Sequence, residues 1–235
     1  AGSPTRIGDR VYEYNHQQRP VKVWQQSRLI AEYAYNGWGE RVSKTLSSNA
    51  PGKDTGATTY YLYQQRRLIA EADEDGSIIR EYLYHHQRVV GVWQDGEFYA
   101  VHTNLLGTPQ AVTDNNQQAV WSASYQPFGR AITDSDPEQN GRIFTFPLRQ
   151  PGQYEDPETG TYYNYFRDYN PDTGRYLTSD PVGLKGGLNT YLYAEANPLK
   201  YSDPLGLAPL LVEDTYNTIT SYAINTGPEG CFKED

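Results

Sequence analysis

The 235-residue chain contains no methionine, a single cysteine (Cys231) and only six phenylalanines. One thiol excludes an internal disulfide framework and a cysteine-rich metal site. No apolar run approaches the length of a bilayer-spanning helix, so no transmembrane segment is expected. Cations are scarce as well: 20 Lys and Arg face 29 Asp and Glu, a formal net charge of −9. That balance argues against a nucleic-acid-binding surface. The zinc spacings HExxH and CxxC are missing, and His16, His85, His86 and His102 fall in no metal-ligand pattern, so no metal is expected. GxSxG, GxGxxG and Walker loops are missing too, which leaves no serine or cysteine nucleophile constellation and no cofactor. The lack of methionine carries no reading.

What is present is tyrosine (22), glycine (21) and proline (15). Aromatic residues suit a pleated surface while Gly and Pro punctuate it, so this mix favours strands and turns and argues against a helical bundle. With 14% aromatic residues, ordinary disorder is also a poor reading. The length fits one large domain or two small ones. The opening AGSPTRIGDR has no apolar core of a signal peptide and starts within the pattern, as a piece of a longer chain would.

A repeat organises the first hundred residues. Tyr12-Glu-Tyr14 is followed by Arg19, Tyr33-Ala-Tyr35 by Arg41, Tyr61-Leu-Tyr63 by Arg66 and Tyr82-Leu-Tyr84 by Arg88. The second tyrosines stand 21, 28 and 21 residues apart, and the long interval holds the polar loop Ser47 to Thr58. A period near 20 with two short strands per unit predicts stacked β-hairpins. Side chains alternate along a strand, so each Tyr-x-Tyr pair puts both rings on one face. No single hairpin buries that face alone.

From about residue 100 the period fades. HTNLLGTPQAVTD and AVWSASYQPFG lead to a polar loop at Thr133 to Arg142, then to a tyrosine-rich block from Tyr154 to Tyr176. Two copies of Asp-Pro-x-Gly-Leu follow, at Asp180–Leu184 and Asp203–Leu207. After Leu207 the chain turns acidic and loses both Tyr-x-Tyr and Gly-Arg, which marks a boundary. Three segments are expected: repeats over 1–100, a terminal segment over 101–207, and a short remainder over 208–235, too short to hold its own core.

The repeats, followed in order by HTNLLGTPQAVTD, PGQYEDPETGTYYNYFRDYNPDTGRY and SDPVGLKGGLNTYLYAEANPLKYSDPLGL, resemble the end of an Rhs/YD-repeat core. The resemblance implies a mostly β fold: YD hairpins in a cocoon-like spiral sheet, ending in a plug that is also a self-protease. It implies an enclosed C-terminal toxin beginning just after the second Asp-Pro-x-Gly-Leu. In this family, and in the similar C components of ABC toxin complexes, the terminal segment is an aspartic autoprotease cutting once after that motif. Many such proteins are type VI secretion effectors or other polymorphic toxins. The implied partners are the chain's own toxin as cargo, a secretion spike protein, a chaperone and an immunity protein. The implied location is the bacterial cytoplasm before export, then delivery into target cells.

Peptide hydrolysis by carboxylates uses two groups sharing a proton, one as acid and one as base. The resemblance carries this pair onto Asp168 and Asp180, across the turn Asn170–Arg175, with Arg167 as the accompanying cation. Asn170 stands where many relatives carry Asp, and no carboxylate of the pair is lost by it. The implied cut is Leu207–Ala208, with Asp203, Pro204 and Gly206 shaping the substrate segment and Asp203 a possible third carboxylate. Gly206 lets the backbone approach closely, and Pro209 biases Ala208 toward an extended form.

Read from the residues alone, Asp180 and Asp203 are also ordinary Asp-Pro turn starters, like Asp136-Pro137 and Asp156-Pro157. A purely structural shell therefore stays open as a rival. So does a carbohydrate-binding or adhesion repeat that stacks sugars on tyrosine rings.

Overall fold

The computed structural model describes residues 5–51, 56–207 and 209–211. It is built from strands, with no α-helix among the described residues. Thirteen strands form one antiparallel sheet in strict sequence order: β1 (Arg6–Ile7), β2 (Arg10–Tyr14), β3 (Pro20–Gln25), β4 (Arg28–Tyr35), β5 (Arg41–Leu46), β6 (Thr58–Gln64), β7 (Arg67–Ala72), β8 (Ile78–His85), β9 (Arg88–Gln94), β10 (Glu97–Thr103), β11 (Pro109–Thr113), β12 (Ala119–Tyr125) and β13 (Ala131–Asp134).

Two kinds of turn recur between the strands. Gln26-Ser27 and Gln65-Arg66 take positive φ at both positions, the mirror-image turn whose twist matches a hairpin. The longer turns are closed by a side chain. Asn15 Oδ1 accepts from the backbone of Gln17 and Arg19, and Asn36 Oδ1 from Trp38 and Glu40, all at 3.0 Å. Asp73, Asn104 and Asp114 bond the same two positions ahead of themselves. This device explains why the meander does not break at residue 100, where the tyrosine spacing fades. Asn104 and Asp114 close two more turns, and β11 to β13 carry the sheet on to Asp134.

Tyr12, Tyr33, Tyr61 and Tyr82 are all buried on one face. A guanidinium of one unit lies over a ring of the next: Arg19 over Tyr35 (5.5 Å), Arg41 over Tyr61 (5.1 Å) and, in the third unit, Arg67 rather than Arg66 over Tyr84 (4.7 Å). What covers this face is the segment that follows. Phe144 and Phe146 pack among Tyr82, Tyr99 and Trp121. A second sheet of β14 (Tyr154–Asp156), β15 (Thr161–Asn164), β16 (Arg167–Asn170) and β17 (Arg175–Tyr176) sets Tyr154 and Tyr163 against Tyr61.

The two sheets are pinned by buried charge. Arg41, 1% exposed, makes a two-pronged bond to Asp156 at 2.6 and 2.9 Å. Lys44 reaches Asp156 at 3.0 Å and Glu158 at 3.4 Å, and Tyr33 donates to Glu158 at 2.8 Å. Burial raises the Asp156 carboxyl, but the Arg41 and Lys44 charges outweigh it and hold the group below its ordinary range. Such a cluster fixes register more than it adds stability.

After β17 come two 3-10 turns, Gly183–Gly186 and Ala194–Ala196. The short pair β18 (Tyr201–Ser202) and β19 (Leu210–Leu211) follows, with Ser202 opposite Leu210. The expected junction therefore falls in the loop between β18 and β19. Ala208 lies outside the described residues, as do 212–235 with Cys231.

Candidate functional site

Arg167 is the centre of the site. The turn Asn170–Gly174 folds β17 onto β16, pairing Tyr169 with Tyr176, and Gly174 N–H donates to Asn170 O at 3.0 Å. Because side chains alternate, Arg167 and Asp168 point to opposite faces of β16. Beyond β17 the chain brings Asp180 to the Arg167 face, and the β18–β19 loop brings Asp203 there too. Arg167 Nη2 lies 3.0 Å from Asp180 Oδ2 and 3.2 Å from Asp203 Oδ2.

The same guanidinium holds backbone. Its Nε donates to Gly206 O at 2.5 Å and its Nη1 to Thr190 O at 3.0 Å, while its carbon sits 3.6 Å from the centre of the Tyr176 ring. Fork geometry of this kind suits arginine and not lysine.

Each aspartate is fixed at both oxygens. Asp180 Oδ1 accepts from Val182 N–H at 2.9 Å, and its own N–H donates to Thr190 O at 2.9 Å. Asp203 Oδ1 accepts from Leu207 N–H at 2.9 Å, and Oδ2 accepts from the Tyr176 hydroxyl at 2.8 Å. That hydroxyl in turn accepts from Asn164 Nδ2 at 2.7 Å. Burial pushes the Asp180 carboxyl above its ordinary value, with Arg167 opposing. A carboxyl raised by burial keeps its proton to higher pH than an ordinary aspartate.

The backbone of the expected junction lies against this pair. Gly206 has φ of 68°, and a Cβ there would stand 2.6 Å from Asn164 O, so the loop reaches the β15–β16 turn only because this residue has no side chain. Leu207 is buried. Its carbonyl oxygen and Asp180 Oδ2 both flank Gly186: a Cβ on that glycine would lie 3.1 Å from the first and 2.6 Å from the second.

Asp168 is placed elsewhere. It faces Arg41, Asp156 and Arg19, and also raises Tyr14 and Tyr35 on the meander. Burial lifts it to about 7. The expected pairing of Asp168 with Asp180 is not what the structure brings together, because one residue of strand parity separates Arg167 from Asp168. The carboxyl that shares Arg167 Nη2 with Asp180 is that of Asp203, expected to shape the substrate segment and left open as a third carboxylate. Pro204 and Gly206 do lie in that loop. The signal for Asp203 was in the doubled motif: each copy of Asp-Pro-x-Gly-Leu starts with an aspartate, and both reach Arg167. Tyr176, Asn164, Thr190 and Gly186 carried no such signal.

Among the described residues no cluster of three or more His, Cys, Asp or Glu is arranged to hold a metal, and no helix is long and apolar enough to cross a membrane. A cavity between Tyr63, Arg66, Gln153 and Tyr165 shares only Pro204 and Leu205 with the junction loop, and Asp168, Asp180 and Asp203 do not line it.

A long meander of tyrosine hairpins, covered on its ring face by its own following segment, defines a β-shell of the YD-repeat class. The chain belongs to the teneurin YD-shell family, whose family model matches residues 3–199. It is 32% identical over 228 residues to the double-stranded DNA deaminase toxin A of Burkholderia cenocepacia, covering 84% of this chain and 15% of that protein. It is 40% identical over 112 residues to the toxin protein Tse5 of Pseudomonas aeruginosa, covering 47% of this chain and 8% of that one. Among solved structures it resembles the Photorhabdus luminescens Tc holotoxin pore, with a TM-score of 0.65 at 22% identity over 88% of this chain and 10% of the other. That likeness shows the fold. The chain thus spans a small part of these larger relatives.

Proposed function

We propose that this chain is the closing part of a toxin-enclosing shell and that it cuts itself once, between Leu207 and Ala208. The observation that carries this reading is the set of contacts joining Arg167, Asp180 and Asp203 to the backbone of Gly206 and Leu207. Asp180 and Asp203 form the carboxyl pair, and Arg167 sets their spacing and orders the substrate loop. Water adds to the Leu207 carbonyl carbon, giving up a proton to Asp203. The protonated carboxyl of Asp180, which borders the same space at Gly186 as the Leu207 carbonyl oxygen, stabilises the tetrahedral intermediate. As the C–N bond breaks, the carboxyl that took water's proton passes it to the Ala208 nitrogen, and the new Leu207 carboxylic acid gives its own proton to the released amine, leaving a carboxylate and an ammonium. Substrate and site share one chain, so proximity replaces binding energy and the reaction runs once per molecule.

In this reading the meander from β1 to β13 is shell wall, the segment from Ser135 to Leu207 is plug and scissors, and 208–235 begins the cargo. Relatives named as toxins support enclosed cargo of that class. We place the chain in the bacterial cytoplasm before export, with a secretion spike, a chaperone and an immunity protein as partners. The test is substitution of single acids in the full chain: Asp180→Asn and Asp203→Asn should each leave it uncut, whereas Asp168→Asn should not.

A second reading rests on one observation: Asp180 and Asp203 also cap backbone N–H groups, as turn residues do. A purely structural shell predicts that both Asn variants lose stability and that no chain, wild type included, is cut. The sugar-binding alternative finds less support, because Tyr12, Tyr33, Tyr61 and Tyr82 are buried.

A further inference from the structure

Gly186 ends the 3-10 turn Gly183–Gly186 in the stretch Gly183-Leu-Lys-Gly186-Gly187-Leu188. Three glycines in five residues would ordinarily be read as a flexible turn. Their environments differ. Gly183 and Gly187 have φ of 63° and 131°, backbone that disfavours side chains, yet a Cβ on either meets nothing within 4 Å. Gly186 is the reverse. Its backbone is outside the left-handed region, and a Cβ would stand 2.6 Å from Asp180 Oδ2, 3.0 Å from Asp180 Cγ and 3.1 Å from Leu207 O. Real Cβ atoms do not approach others at such a distance, so a side chain here requires the acid or the peptide to move.

Neither moves cheaply. Asp180 has a short side chain, pinned by Arg167 Nη2 at 3.0 Å and Val182 N–H at 2.9 Å. Leu207 is pinned at its N–H by Asp203, and the preceding carbonyl by Arg167. The missing side chain of Gly186 therefore leaves open the space that the Asp180 carboxyl and the junction carbonyl both border.

We infer that Gly186 is a positioning residue for self-cleavage: it lets the Asp180 carboxyl lie beside the Leu207 carbonyl, and any side chain at 186 separates the two. The inference rests on the self-cleaving reading above and goes beyond it, since it assigns a role to a residue that carries no functional group. Its energetic basis is geometric, because misplacement of a catalytic group by about 1 Å costs on the order of 100-fold in rate.

The test compares Gly186→Ala with Gly183→Ala and Gly187→Ala in the full chain, following the appearance of the 207/208 fragments by mass and the melting temperature of the uncut species. Gly186→Ala should slow cutting by about 100-fold or more while melting like uncut Asp180→Asn. Gly183→Ala and Gly187→Ala should lower the melting temperature through backbone strain and still cut within about 5-fold of wild type. The pH profile adds a readout that packing alone does not move. Residual cutting by Gly186→Ala should have its half-maximal pH displaced by about half a unit or more, since its carboxyl has new neighbours, while the two control variants keep the wild-type profile.

Wild-type cutting together with equal cutting by Gly186→Ala would overturn the inference and leave the self-cleaving reading standing. An unfolded Gly186→Ala chain would make the residue a packing element and overturn it as well. A wild-type chain that stays whole would overturn both.

Discussion

Asp203 Oδ1 accepts the amide proton of Leu207, four residues further along, at 2.9 Å. The acid is thus bonded to the residue whose carbonyl the proposed cleavage attacks, and through Oδ2 to the guanidinium that also holds Asp180. The junction is tied to the site by main-chain bonds rather than by a side-chain pocket. This fits a reaction with one built-in substrate, which needs registration and not selection.

The Tyr176 hydroxyl is the link from Asn164 to Asp203. Tyr176→Phe keeps the ring under Arg167 and removes that link. A lost hydrogen bond to a charged group costs about 1.5–3 kcal/mol. We expect cutting slowed by roughly 10- to 100-fold in a folded protein, read as fragment appearance over time. Unchanged cutting would show that Asp203 is held well enough without Tyr176.

Asp168 gives a stability prediction of definite sign. Unfolded, it ionises near 3.8, as an ordinary aspartate does; folded, burial keeps it protonated up to about 7. Between those values the native state holds a proton that the unfolded chain has released, so its contribution to stability is lost as pH rises. Asp168→Asn removes the titration. Denaturant melts should show the variant more stable than wild type at pH 8 by about 1–3 kcal/mol, with the gap narrowing as pH falls toward 4. A gap independent of pH would contradict the placement of Asp168.

Arg41 is the buried cation of the clamp between the two sheets, over the rings of Tyr33, Tyr61 and Tyr163. Arg41→Met leaves Asp156 with Lys44 as its remaining cation. Removing one partner of a buried pair costs about 3–5 kcal/mol, so the variant should melt well below wild type and expose the β14–β17 segment to protease first. Equal melting would show the clamp to be dispensable.

Self-cleavage should depend on pH through Asp180. Burial raises that carboxyl, and in the proposed reaction its protonated form assists the Leu207 carbonyl. The rate should therefore fall as pH rises through the raised value. Fragment appearance from about pH 4 to 9 checks this, and a flat profile would speak against a proton donor in the site.

How much of this was legible in the sequence depends on the distance over which each signal acts. Tyr-x-Tyr pairs and their spacing set strand parity, and the rings of Tyr12, Tyr33, Tyr61 and Tyr82 do share a buried face. The continuation of the meander to Asp134 was hidden in smaller print, in Asn104 and Asp114 closing turns as Asn15 does. Arg167 and Asp180 stood out by their motifs and do meet. The partner acid did not, because Asp168 sits beside Arg167 in sequence and alternation sends the two to opposite faces, while Asp203 is 36 residues away and arrives through the β18–β19 loop. Gly186 was unreadable for a similar reason: its importance lies in what it lacks, visible only when Asp180 and Leu207 are placed around it.

The central claim is most directly tested by intact-mass measurement and N-terminal sequencing of the purified wild-type chain beside Asp180→Asn. The account predicts a wild-type product ending at Leu207, a second beginning at Ala208, and an undivided Asp180→Asn chain. A wild-type chain that stays whole under folding conditions, or an Asp180→Asn chain cut at the same bond, would contradict it.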